Sequence, residues 1–120
     1  MKETKTTNPE LIQLITVLKR ESKEKQAAIW LDLAEYLSKT RSQRVAVNLS
    51  KISRNTKNAD IVVVPGKILG SGSIDHAVTV ASFSASEKAK DKLEAAKAKY
   101  ISIQELMEKN PKGSNVKIIR

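Results

Sequence analysis

Ile61-Val62-Val63-Val64-Pro65-Gly66-Lys67-Ile68-Leu69-Gly70-Ser71-Gly72-Ser73 is the stretch on which the fold turns. Four β-branched residues in succession favour an extended backbone and leave no polar face for water, so residues 61–64 predict a central strand buried on both sides. A strand covered on both faces needs helices above and below it, which makes the class α/β. Pro65-Gly66 reads as the sharp end of that strand. The glycines beyond it read as a loop.

Helical patterns lie upstream. Asn8-Pro9-Glu10 opens a helix, with Asn8 as N-cap, Pro9 at the first helical position and Glu10 near the positive end of the dipole. Leu11, Leu14, Ile15 and Leu18 share one face, so the spacing predicts a helix over 9–21. A second stripe after Ser22, made of Ala27, Trp30, Leu33, Ala34 and Leu37, predicts a helix over 24–38 that runs antiparallel to the first. Trp30 belongs to that stripe and reads as core packing in preference to a base-stacking ring. Val45, Val47 and Leu49 alternate with Ala46 and Asn48 as a short strand, beyond which residues 49–52 can turn.

Downstream, Val78, Val80 and Phe83 predict a strand over 77–83. Ser84-Ala85-Ser86-Glu87 then reads as a capping box, with Ser84 as N-cap, for a helix over 85–98 whose narrow stripe is Ala89, Leu93 and Ala96. Tyr100-Ile101 reads as a short strand. Ser102-Ile103-Gln104-Glu105 repeats the box for a helix stopped at Asn110-Pro111, and Val116-Lys117-Ile118-Ile119-Arg120 is a final strand with a basic end. The expected architecture is therefore a single α/β domain over 1–120, with residues 1–7 flexible. An N-terminal helix pair packs on a small mixed sheet, and two further helices complete it.

The charge pattern points to a partner. With 22 Lys and Arg against 13 Asp and Glu, the net charge of +9 exceeds what solubility asks of a small domain. Between Glu35 and Asp60 there are 24 residues without a carboxylate, and Lys39, Arg41, Arg44, Lys51, Arg54 and Lys57 all fall among them. Removing acids from among bases concentrates positive potential, which suits a nucleic-acid backbone. A merely solubilising face interleaves both signs, as Glu87, Lys88, Lys90, Asp91, Lys92 and Glu94 do. The only aromatic rings are Trp30, Tyr36, Phe83 and Tyr100, too few to stack a single strand. Phosphate and sugar contacts with folded RNA or duplex fit better.

Other chemistries find little support. No apolar run approaches about 18 residues, so no membrane partner is expected. The chain has no cysteine, which excludes disulfides and thiolate metal sites and fits a cytoplasmic setting. His76 is the single histidine, so no metal site and no catalytic pair assembles around it and Asp75. The Gly-rich segment lacks the Gly-Lys-Ser/Thr triplet of an NTPase loop, because Ile68 follows Lys67, and it lacks the third glycine of a dinucleotide fingerprint. Pro65, Gly66, Gly70 and Gly72 are instead the residues of a structural loop that can bring Lys67 against a phosphodiester. No enzyme activity and no cofactor are expected. A general nucleic-acid-compacting protein and, less favoured, a nucleotide-binding enzyme using the Gly-rich loop are the alternatives.

Three segments carry a family likeness: Val45-Ala46-Val47-Asn48-Leu49-Ser50-Lys51-Ile52-Ser53-Arg54; Val62 through the Pro65-Gly66-Lys67-Ile68-Leu69-Gly70-Ser71-Gly72 run; and Val78-Thr79-Val80-Ala81-Ser82-Phe83-Ser84. With Asn8-Pro9-Glu10-Leu11 and Ile29-Trp30-Leu31-Asp32-Leu33-Ala34, the chain resembles the archaeal form of large-subunit ribosomal protein eighteen-e over nearly its whole length. The resemblance implies a core shared with bacterial large-subunit ribosomal protein fifteen. It also implies a structural constituent of the cytoplasmic ribosome, with large-subunit rRNA and neighbouring ribosomal proteins as partners and a monomeric state outside the ribosome. On this reading the RNA-binding residues are Lys39, Arg41, Arg44, Lys51, Arg54, Lys57 and Lys67.

Overall fold

The computed structural model describes residues 9–39 and 45–120. Five helices and five strands follow in chain order: α1 (Pro9–Lys25), α2 (Ala28–Leu37), β1 (Val45–Asn48), α3 (Leu49–Arg54), β2 (Ile61–Leu69), β3 (Thr79–Ala85), α4 (Glu87–Ala95), β4 (Lys99–Ser102), α5 (Ile103–Lys109) and β5 (Val116–Ile118). The expectation of flexibility at 1–7 falls outside the described residues.

The α/β class and the helix pair on the sheet are as the sequence predicts. The sheet, expected to be mixed, is parallel throughout. None of its connections is a tight hairpin: α3, α4 and α5 carry three of them, and residues 70–78 carry the fourth. Crossovers of that length return the chain in the same direction. β2 pairs with β3, which pairs with β4. Along its other side β2 meets β5 over Ile61 to Val63 and β1 over Gly66 to Leu69.

Alternation along β2 divides the interior. Val63, with Ala81 and Ile101, faces α1, α2 and α5, where Leu11, Leu18, Trp30, Leu33 and Leu106 are buried. Val62 and Val64 face α3 and α4 through Leu49, Ile52, Ala89 and Leu93. Helices thus cover both faces of the β-branched run, as its lack of a polar face demands. A third helix, α3, joins the two expected beyond the pair, because Leu49 and Ile52 are buried only if the chain coils at Asn48.

Several boundaries differ from expectation, each for a local reason. α1 runs to Lys25 and α2 begins only at Ala28, since Ser22-Lys23-Glu24-Lys25 continue the first helix on its solvent side. Gln26 ends it in the left-handed region, φ 52°, and the Ala27 N–H donates to the Ser22 carbonyl at 3.1 Å. That is a Schellman closure at a position that favours glycine. Gln26→Gly is therefore expected to stabilise the fold by about 0.5–1 kcal/mol. The check is a urea midpoint that rises with an unchanged m value.

The N-cap of α4 is Ser86, not Ser84, and its hydroxyl accepts from the Ala89 N–H at 3.1 Å. β3 holds Ser84 and Ala85 extended through pairing with Lys67 and Ile68, so the first serine is not free to cap. The second box is as expected: Ser102 accepts from the Glu105 N–H at 3.1 Å. β2 does not end at Pro65-Gly66. It continues to Leu69 across a bulge, where Val64 pairs with Ser82 and Lys67 with Ser84. A bulge is one of the few places in a central strand where proline costs no ladder bond.

Candidate nucleic-acid interface

The acid-free tract leaves the end of α2, forms β1 and α3, and closes at the turn before β2. Arg41 and Arg44 lie outside the described residues. Lys39, Lys51, Arg54, Lys57 and Lys67 are all exposed. Leu49 and Ile52 anchor one side of α3 in the core, so Lys51 and Arg54 are carried on the solvent side of a fixed helix. Their positive charge sits at its carbonyl end, where the helix dipole favours cations.

Of the predicted bases, Lys51 meets the last residue directly and Lys39 shares a ring with it. Lys39 Nζ lies 4.9 Å from the centre of the Tyr36 ring, and the guanidinium carbon of Arg120 lies 4.9 Å from the same ring. Each contact is worth about 0.5–1 kcal/mol at such exposed sites. Lys51 Nζ donates to the backbone oxygen of Arg120 at 2.5 Å. Lys117 donates to Asp60 Oδ2 at 3.0 Å and to the Asn55 carbonyl at 3.4 Å. Asp60, the first carboxylate after the tract, also accepts from the Lys57 N–H at 2.8 Å. That backbone hydrogen bond, then the one from Lys117, holds its carboxyl below the ordinary value. It stays ionised and ties β5 to the start of β2.

Tyr36, Lys117 and Arg120 are functional candidates that the sequence reading does not single out. The basic end of the last strand was visible as such. What was not visible is its pairing with β2, which brings Lys117 and Arg120 beside α3.

The Gly-rich segment is differently built from the loop expected. Pro65 and Gly66 are buried within β2. Lys67 does not lie beyond a strand end but inside β2, exposed, between Ala46 of β1 and Ser84 of β3. Its ammonium therefore projects from a rigid sheet, which lowers the cost of ordering it against a phosphate. Gly70 and Gly72 serve packing. A Cβ on Gly70 would stand 2.7 Å from Lys88 Cγ and 3.1 Å from the Ala89 nitrogen. Gly72 has φ +83°, and a Cβ there would stand 2.5 Å from the Ser50 Cβ. Lys92 Nζ donates to the carbonyls of both glycines, at 2.8 and 2.5 Å. The loop is sealed onto α3 and α4.

His76 is a further clamp on the same connection. Its Nδ1 meets Asp75 Oδ1 at 2.9 Å and its Nε2 meets Thr56 Oγ1 at 2.7 Å, which joins the segment before β3 to the end of α3. The bond from His76 lowers the Asp75 carboxyl. No group of three or more metal-ligating side chains occurs among the described residues, and no described helix is long and apolar enough to cross a membrane.

The sequence pattern of the family described as Ribosomal protein 60S L18 and 50S L18e matches residues 1–120. The chain belongs to this family. Relatives named large ribosomal subunit protein eL18 agree with it along almost their full length. That of Methanococcus maripaludis is 48% identical over 119 residues, which is 99% of each chain. That of Archaeoglobus fulgidus is 47% identical over 113 residues, 94% of this chain and 97% of the relative. That of Methanospirillum hungatei is 45% identical over 114 residues, 95% and 94% of the two. An L18e-family chain is thus seen here with Lys51 and Arg54 on a helix, Lys67 inside a strand, and its glycines in a loop sealed onto α3 and α4.

Proposed function

We propose that the chain is a structural constituent of the large ribosomal subunit, not an enzyme, and that it holds folded large-subunit rRNA mainly through phosphate contacts. The carrying observation is the acid-free tract, displayed on α3 and at the end of α2, in a chain of the L18e family. Lys39, Arg41, Arg44, Lys51, Arg54, Lys57 and Lys67 are the residues assigned to RNA, the arginines as bidentate clamps and the lysines as point charges. Neighbouring ribosomal proteins complete its surroundings in the cytoplasmic ribosome. Outside the ribosome the chain is a monomer, and no membrane is involved.

A nucleotide-binding enzyme finds no support in the loop. The carbonyls of Gly70 and Gly72 are occupied by Lys92, and the space beside the two glycines is filled by Lys88 and Ser50. A general nucleic-acid-compacting protein is separated from the rRNA reading by binding at equal salt to an rRNA transcript and to duplex DNA.

In a salt titration against an archaeal large-subunit rRNA transcript, each neutralised phosphate is expected to contribute about −0.7 to −0.9 to the slope of log affinity against log salt. A flat slope, or equal affinity for duplex DNA, would sink the proposal.

A further inference from the structure

The open depression between α3 and β5 is lined by Lys51, Asn55, Lys117, Ile118, Ile119 and Arg120. Four cations gather at or beside it: Lys39 and Arg120 on the Tyr36 ring, Lys51 on the Arg120 backbone, and Lys117 on Asp60. Among the described residues, Asp60 supplies the one side-chain carboxylate in a salt bridge with any of them, and Lys51 is met only by the main-chain oxygen of Arg120, so the cations outnumber their partners. Like charges brought this close repel, and the arrangement is relieved by an anion placed among them.

We infer that this depression is a second RNA contact, seating one phosphodiester group of folded RNA between Lys51 of α3, Lys117 of β5 and Arg120 just beyond that strand. The inference rests on the rRNA-binding reading and extends it to residues outside the acid-free tract. Each side chain has a distinct part. Tyr36 holds the Arg120 guanidinium over its ring, which restrains the fork before the phosphate arrives and reduces the ordering cost of binding. The Asp60 carboxylate and the Asn55 carbonyl position Lys117 in the same way. The apolar Ile118 and Ile119 give the floor a lower dielectric than open surface, which strengthens the attraction. The ligand is a phosphodiester and not a nucleotide base, because the ring at this place is already covered by two cations.

The test compares the wild-type chain with the double variant Lys117→Ala/Arg120→Ala on an archaeal large-subunit rRNA transcript, across a range of salt. The control is Lys23→Ala/Lys109→Ala, which removes two charges elsewhere. Loss of one seated phosphate predicts binding about five- to eightfold weaker at 0.1 M salt, and a slope shallower by about 0.7–0.9. It also predicts loss of one patch of hydroxyl-radical protection while the remaining footprint persists. Arg120→Gln, which leaves the Lys117–Asp60 pair intact, is expected to weaken binding in the same direction should the double variant fail to fold. If a folded variant binds as the control does, the seat is overturned while the wider reading stands. If the wild type itself shows no salt-dependent binding, both fall together.

Discussion

Trp30→Ala is expected to cost about 3–5 kcal/mol, a large share of the stability of a domain this size. The indole is fully buried between the helix pair and the rest of the core. Its Nε1–H donates to the Pro111 carbonyl at 2.8 Å, so one side chain fastens α2 to the turn that leads into β5. Truncation opens a cavity and frees that turn at once. Trp30→Phe separates the two effects: the ring volume largely remains while the Pro111 carbonyl loses its donor, for about 1–3 kcal/mol. Denaturant unfolding of both variants checks the claim, and a loss below about 1 kcal/mol for the alanine variant would contradict it.

Gly72→Ala is expected to lose about 2–4 kcal/mol, from the left-handed backbone and from the collision with Ser50 together. Ser50 lies in the first turn of the helix that carries Lys51 and Arg54, so the damage reaches the basic surface through its scaffold. The contrast is Lys67→Ala, an exposed change expected to leave stability within about 0.5 kcal/mol while it weakens RNA binding. A phosphate-cradle role for the glycines predicts the opposite: Gly72→Ala would keep its stability and lose affinity. Thermal unfolding and rRNA binding measured on both variants distinguish the two.

Much of this architecture is legible from residue pattern alone, and the misses have identifiable causes. Ile61-Val62-Val63-Val64 announces a strand covered on both faces, and the helices do cover it. Ser102 caps where its spacing to Glu105 says it should. Ser84 does not cap, because a long-range pairing with Lys67 outweighs a preference worth about 1 kcal/mol. Pro65 breaks no strand because a bulge absorbs it; Pro-Gly marks a turn as well as a bulge, and only the pairing of Lys67 with Ser84 decides between them. Among the candidate RNA residues, the tract from Lys39 to Lys57 is found by its missing acids. Lys117 and Arg120 are not, since their place beside α3 depends on a strand partner more than fifty residues away in sequence.

The sharing of one side of β2 between β1 and β5 has a consequence for the order in which the chain is made. Until Val116–Ile118 emerges, Ile61, Val62 and Val63 present an open ladder, and the residues along it are among the most β-prone and least charged in the protein. A nascent or truncated chain in that state is a template for intermolecular pairing. Arrival of β5 closes the hazard and, through Lys117, anchors Asp60 in the same step. The last strand thus does for the edge of β2 what charged or bulged edges do elsewhere: it leaves no unpaired ladder along Ile61 to Val63.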